Sequence, residues 1–226
     1  MISVIVPTWN EEKYISKCIQ GLKAQTFRDF EVIIVDGKSS DNTVETIKRI
    51  SDYKVILSND RGAPQQRNFG AKNARGDIMV FTDADTVLSP NALEEINSIL
   101  QKKDYVVGGS ITGAFEPINY KIKFLNFINK YIQRALKLTY AYCIFARKNA
   151  FENANGFKSC ICEDSEFGSR LRKYGELVIL ENCSYLSSSR RFIEMGFYTS
   201  VFVWVLEYFK NKFGIYTPIE TYPVFR

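Results

Sequence analysis

The sequence predicts an α/β domain: a mostly parallel sheet with helices on both faces, followed by a helical C-terminal elaboration. Three observations carry this. Short β-branched runs alternate four times with amphipathic stretches over the N-terminal half, the pattern of strand–helix–strand crossovers. Capping and turn residues punctuate the alternation where each crossover needs a helix start. Polar and acidic residues follow the strands directly, as they do where ligands bind beyond the carboxyl ends of a parallel sheet.

Residues 2–6 form the first expected strand, apolar and β-branched apart from one serine. Asn10 is expected to cap a helix that turns Ile15, Cys18, Ile19 and Leu22 inward. Glu31 to Val35 is the second strand and runs into Asp36-Gly37. Ser39-Ser40-Asp41 then opens a helix with Val44, Ile47 and Ile50 inward. Val55 to Leu57 is a third strand, and Pro64 suits the first turn of a helix reaching Asn73. Asp77 to Thr82 is a fourth strand, leading into Asp83-Ala84-Asp85; Ser89-Pro90 starts a helix with Leu93, Ile96 and Leu100 inward. Further on, Val106 to Thr112 and Glu176 to Leu180 read as strands. Residues 120–138 read as a helix whose apolar stripe is Phe124, Leu125, Ile128, Tyr131, Ile132 and Ala135. Asp164 is placed to cap a short helix carrying Phe167 and Leu171.

Composition narrows the chemistry. The 226 residues are 46% hydrophobic, enough for one large core. There is no histidine, which excludes Ser-His-Asp and Cys-His catalysis and any histidine-ligated metal. Five cysteines, an odd number, fit a reduced compartment, and Cys160-Ile161-Cys162 lacks the spacing of a zinc pair. The N-terminus has no basic region before its apolar run and reads as a core strand, not a leader. The net charge of +5 divides unevenly, with −1 over residues 1–110 and +6 over 111–226, so the second half favours anionic partners.

Asp83 and Asp85 raise the functional question. On an extended chain, carboxylates two positions apart point to one side. At a strand end they form an oxygen-only site for a hard divalent cation, able to neutralise a diphosphate leaving group. The alternative is a turn that caps the next helix. Their placement after an apolar strand, on the sheet edge expected to hold Pro7, Trp9 and Asp36, favours the binding site.

Four stretches, in order, make a specific pattern: "VIVPTWNE" (4–11), "VDGKSSDNT" (35–43), "QQRNFGAKNARGDIMVFTDAD" (65–85), and "NANGF" followed by "CEDSEFGSRLRKYG". Over residues 1 to about 191 the chain resembles the family 2 glycosyltransferases, inverting enzymes of the GT-A fold that use nucleotide sugars. The resemblance implies a GT-A (Rossmann-like, nucleotide-diphospho-sugar transferase) domain over 1–191. Residues 1–112 would be its nucleotide-sugar half and 113–191 its acceptor half, with 192–226 an apolar C-terminal segment.

The resemblance also implies roles. Pro7, Trp9, Glu11, Asp36, Arg67, Asp83 and Ala84 would bind a UDP- or GDP-sugar; Asp83 and Asp85 would hold Mn²⁺ or Mg²⁺. Asp164 would be the general base, beside Glu163, and Arg190 and Arg191 would face a diphosphate or acceptor phosphate. Gly37 stands where many relatives have a second acidic residue, which leaves the base unspecified.

From Pro117 to Phe151 there is no acidic residue, and seven basic ones interleave with aromatics. This predicts peripheral attachment to an anionic membrane, at its cytoplasmic face, with the alternative that the helix packs on the sheet or forms an oligomer. The apolar run 197–209 is shorter than the ~20 residues of a spanning helix. The expected acceptor is a glycan or a lipid-linked molecule, and no nucleic-acid partner is expected. A nucleotidyltransferase of similar fold and a non-catalytic lipid-binding module are the rival readings.

Overall fold

The computed structural model describes residues 1–117, 119–139 and 142–221. Four strands run parallel: β1 (Ile2–Thr8), β2 (Phe30–Asp36), β3 (Lys54–Leu57) and β4 (Ile78–Phe81). Their order is β3-β2-β1-β4. The crossovers are α1 (Ile15–Lys23), α2 (Thr43–Ile50) and α3 (Ala63–Lys72). Pro64 lies in the first turn of α3, where its missing N–H costs nothing.

Alternation along the strands makes two cores. Ile2, Val4 and Val6 face Ile15, Ile19, Leu22, Leu93 and Ile96 on one side of the sheet. Ile5, Ile33 and Val35 face the other side, with Phe81, Phe151, Phe157 and Phe167. At about 1.5–3 kcal/mol per large apolar side chain buried, these two layers supply most of the drive to fold. The second layer is close-packed at Gly70 of α3, where an added Cβ would lie 2.4 Å from Ile5 Cγ2 and 2.9 Å from Val35 Cγ2. Gly70→Ala is therefore expected to destabilise by about 1–3 kcal/mol, readable as a lower denaturant midpoint at unchanged slope.

Among the described residues the sheet continues to eight strands through β7 (Ile144–Arg147), β6 (Val106–Glu116), β8 (Glu176–Ser188) and β5 (Thr86–Leu88), in that order after β4. β4–β7, β6–β7 and β5–β8 are antiparallel, and β6–β8 is parallel. β5 and β7 are too short to show a period in the sequence. β8 runs past the expected Leu180 to Ser188 because the ladder with β6 resumes after an irregularity, at Thr112 opposite Ser184. That continuation carries Ser187 and Arg190 to the ligand edge.

The remaining helices are α4 (Ala92–Lys102), α5 (Tyr120–Leu136), α6 (Lys148–Asn153), α7 (Glu163–Leu171), α8 (Arg190–Glu194) and α9 (Phe197–Lys212). Phe115, Ile122, Leu125 and Phe192 form a third, smaller core, with Phe197, Val201 and Trp204 packed against it. The 192–221 segment is also tied to the domain by Asn211 Nδ2, which donates to Ile161 O at 2.9 Å, and by Ile161 N, which donates to Thr217 O at 3.0 Å.

Several local expectations change. Asn10 does not cap α1. It takes a left-handed φ of 56°, and its Oδ1 accepts from Ser40 N at 2.8 Å, lacing the loops after β1 and β2 together. Asp83-Ala84-Asp85 is a turn rather than strand end, closed by Thr86 N donating to Asp83 O at 3.1 Å. The N-cap of α7 is Cys162, and Asp164 sits within the first turn, its Oδ1 accepting from Ser165 N at 2.7 Å. α5 packs on β6 through Ile122, Leu125, Asn126 and Gln133. Asn126 pairs with both backbone groups of Phe115, and Gln133 Nε2 donates to Ile111 O. Of the expected inward stripe only Leu125 is buried; Ile128 is half-buried, and Phe124, Tyr131, Ile132 and Ala135 are exposed, because the face that meets the sheet is rotated toward Ile122, Asn126 and Gln133.

Candidate active site

The carboxyl ends of β1 and β4 and the first turn of α7 open on one cavity of about 590 Å³. Pro7, Trp9, Glu11, Arg67, Asp83, Ala84, Asp85, Glu163, Asp164, Arg190 and Arg191 all line it. Residues spread over most of the chain thus meet at one place because parallel strands end on the same edge. Asp36 is the exception. It is fully buried behind that edge, and its carboxylate accepts from Ser39 N at 2.9 Å, Ser39 Oγ at 2.5 Å and Thr8 Oγ1 at 3.3 Å. It shapes the loop that follows β2 and does not line the cavity.

Each aspartate of the turn is held by an arginine, Asp83 by the buried Arg67 and Asp85 by the half-buried Arg190. Arg67 Nη2 donates to Asp83 Oδ1 at 2.6 Å, while its Nη1 donates to Glu163 Oε1 at 2.6 Å. Arg67 therefore joins the turn after β4 to the start of α7, rather than reaching freely toward a nucleotide. Burial opposes its charge, but Asp83 and Glu163 outweigh burial and hold the guanidinium above its ordinary pKa. Its Nε is buried without a hydrogen-bond partner.

Arg190 makes the second link. Its two terminal nitrogens fork onto Glu11 Oε1 and Oε2 at 2.8 Å each, and Nη2 also lies 3.0 Å from Asp85 Oδ2. The Tyr14 ring lies under the guanidinium, 4.6 Å from its centroid. Glu11 is thus the anchor of Arg190.

These four carboxylates and two guanidiniums leave a formal charge of −2 in a largely buried cluster. Asp85 registers the excess. Burial pushes its pKa up to about 6, Arg190 opposes that, and Asp83 and Glu11 add to it. The charge and the oxygen-only donors suit a hard divalent cation at Asp83 and Asp85. Among the described residues no three acidic or thiol side chains are arranged to hold a metal ion together; an ion at Asp83 and Asp85 would take its remaining ligands from water and phosphate oxygens.

Other contributors were not singled out by sequence reasoning. The guanidinium of Arg61 stacks 4.9 Å from the Trp9 ring centroid, at the cavity wall. Its place just before Pro64 of α3, in a loop on the ligand edge, was the available signal. Ser187 Oγ donates toward Asp85 Oδ1 at 3.4 Å, a contact made only because β8 is long. The cavity also has an apolar side, from α5 and α9, that no motif announced.

A family model described as Glycosyl transferase family 2 matches residues 3–156. Glycosyltransferase GlyG of Streptococcus pneumoniae serotype 4 is 33% identical over 109 residues, covering 46% of this chain and 36% of that protein. UDP-Glc:alpha-D-GlcNAc-diphosphoundecaprenol beta-1,3-glucosyltransferase WfgD of Escherichia coli is 33% identical over 122 residues, covering 53% of this chain and 47% of that protein. The chain thus spans less than half the length of these curated relatives. Two solved structures share the fold. Staphylococcus aureus TarS 1–349 in complex with UDP-GlcNAc has a TM-score of 0.66 at 21% identity, over 84% of this chain and 58% of that one. Mannosyltransferase PcManGT from Pyrobaculum calidifontis, in complex with GDP-Man and Mn²⁺, has a TM-score of 0.64 at 20% identity, over 82% of this chain and 56% of that one.

Proposed function

This chain belongs to glycosyl transferase family 2, and on that premise we propose that it moves a sugar from a nucleoside-diphosphate sugar to an acceptor hydroxyl with inversion at the anomeric carbon. One observation carries the reading: the turn holding Asp83 and Asp85 and the helix start holding Asp164 face a single cavity, joined across it by Arg67. The donor, a UDP- or GDP-sugar by analogy with the ligands of TarS and PcManGT, takes the Pro7, Trp9 and Arg61 side, with the base against the aromatic ring. In this reading residues 1–112 bind the donor and 113–191 the acceptor.

Asp164 takes the proton of the acceptor hydroxyl as its oxygen forms the new bond to the anomeric carbon and the bond to the diphosphate breaks on the opposite side. Arg191, which lines the cavity, meets phosphate oxygens. Asp83 and Asp85 would hold Mn²⁺ or Mg²⁺, which would supply positive charge against the diphosphate leaving group. Arg67 and Arg190 keep those two carboxylates aimed into the cavity. Among the described residues no helix is long and apolar enough to cross a membrane. In this reading Lys123 and Lys130, exposed on α5, with α9, serve peripheral attachment to an anionic bilayer at its cytoplasmic face.

The test is metal-dependent release of nucleoside diphosphate from UDP- and GDP-sugars. Slow release with Mn²⁺ and none with chelator is expected. Asp85→Ala is expected to remove the Mn²⁺-dependent increment in nucleoside diphosphate affinity while the thermal unfolding of the free protein persists. Equal affinities with and without Mn²⁺ in the parent protein would eliminate the metal role. No release from any nucleotide sugar, with or without candidate acceptors, would eliminate the transferase reading.

A further inference from the structure

We infer that the acceptor carries a hydrocarbon chain and that this chain lies in the cleft between α5 and α9, opening from the same cavity as the catalytic carboxylates. The inference rests on the transferase reading and names the acceptor class. The cavity has two unlike sides. The strand ends and α7 give it carboxylates and guanidiniums. α5 gives it Phe124, Ile128 and Ile132, and α9 gives it Val201, Val205 and Phe209. A nucleotide and a sugar are polar and use the first side, which leaves the apolar side for something else.

That side is unusually exposed. Phe124 is 62% exposed, Val205 51% and Phe209 56%, although all three line one concavity. Apolar walls facing each other across a wet cleft gain by enclosing an apolar occupant. The fold keeps them there deliberately: the sheet-facing side of α5 is fixed by Asn126 and Gln133, so the helix cannot roll to bury Phe124 and Ile132.

Charge at the rim selects the occupant. Lys121, on the cavity-facing side of α5, lies 4.6 Å from the centroid of the Tyr198 ring on α9 and links the two lips of the cleft; Lys123 and Lys130 are exposed on the opposite side of the helix, toward the bilayer and not the cleft. Glu207, the acidic residue of α9, is buried and paired with Lys210 at 2.7 Å, and α5 has none. Arg134 and Lys137 are engaged by Glu181 and Glu176, so the basic rim is narrower than the acid-free sequence run suggests. An apolar cleft with a basic lip and Arg191 at its inner end fits an amphiphile whose phosphate lies between an apolar chain and the hydroxyl-bearing head, drawn from an anionic bilayer.

Trp204 lies in this cavity and can report on it. The experiment uses dodecyl phosphate brominated near the chain end, below its micelle concentration, as a quencher of tryptophan fluorescence in the Trp9→Phe protein; nucleoside diphosphate binding and release are measured in the matching proteins that retain Trp9. Saturable quenching is expected, with none from inorganic phosphate or ethyl phosphate. Val205→Glu and Phe124→Gln, both at exposed positions, are each expected to weaken quenching by about tenfold or more while nucleoside diphosphate binding with Mn²⁺ stays unchanged. Quenching that ignores chain length, or that survives both substitutions, overturns the proposal. So does sedimentation showing a stable dimer that both substitutions disrupt, since the cleft would then be covered by a second copy. If quenching fails but nucleoside diphosphate release persists, the transferase reading stands and only the lipid acceptor is lost. Quenching without any release leaves a lipid-binding protein and removes the transferase reading instead.

Discussion

Asp164→Asn is expected to leave donor binding close to that of the parent protein and to lower transfer to an acceptor by about 10²–10⁴, the range for loss of a positioned general base. The substitution is close to isosteric. Asp164 Oδ1 accepts from Ser165 N, and an asparagine carbonyl oxygen can do the same. Thr139 Oγ1 donates to the backbone oxygen of Asp164, which the change does not touch. These contacts of the first turn of α7 therefore survive, while the group able to take a proton is removed. The measurement is kcat and KM for donor and acceptor separately. The expected signature is a fall in kcat with KM for the donor unchanged. Transfer at the parental rate would reduce Asp164 to a residue of the helix start.

Arg67→Met is expected to destabilise the fold by about 3–5 kcal/mol, because removing one partner leaves buried carboxylates without compensation. Asp83 and Glu163 both depend on this one side chain, which is 1% exposed. Adding Glu163→Gln should return part of the loss, since a neutral amide costs less to bury than a lone carboxylate. Denaturant midpoints of the parent, Arg67→Met and the double variant decide it. A small deficit, or one that Glu163→Gln does not relieve, would mean the two ion pairs contribute little.

These two residues show how far the sequence could be read. That Asp164 reaches the cavity was legible because its neighbours form a patterned stretch, "CEDSEFGSRLRKYG", whose order relative to the D-x-D turn is specific. Arg67 was picked out as a site residue, but its partners were not, because Asp83 and Glu163 are 16 and 96 positions away from it. The same holds for Glu11 and Arg190, 179 positions apart, whose pairing needs β8 to reach Ser188. Asp36 stands at the end of β2 as expected, but its partners were not legible: Thr8 is 28 positions away, and its hydroxyl and the Ser39 N–H and hydroxyl all donate to the Asp36 carboxylate.

The sequence by itself determined the alternation of the first four strands and their helices, the edge on which the polar residues gather, the family, and the identity of most of the charged residues that line the cavity. These rest on local patterns: period-2 and period-3.6 burial, capping residues and short ordered motifs. Only the tertiary structure decided which charges neutralise each other, which residues of α5 face the sheet, and that α5 and α9 give the cavity an apolar side. Those depend on distances between segments remote in the chain. An arginine or a phenylalanine carries no mark of its partner in sequence; the partner is chosen when the sheet closes and the side chains are brought together out of water.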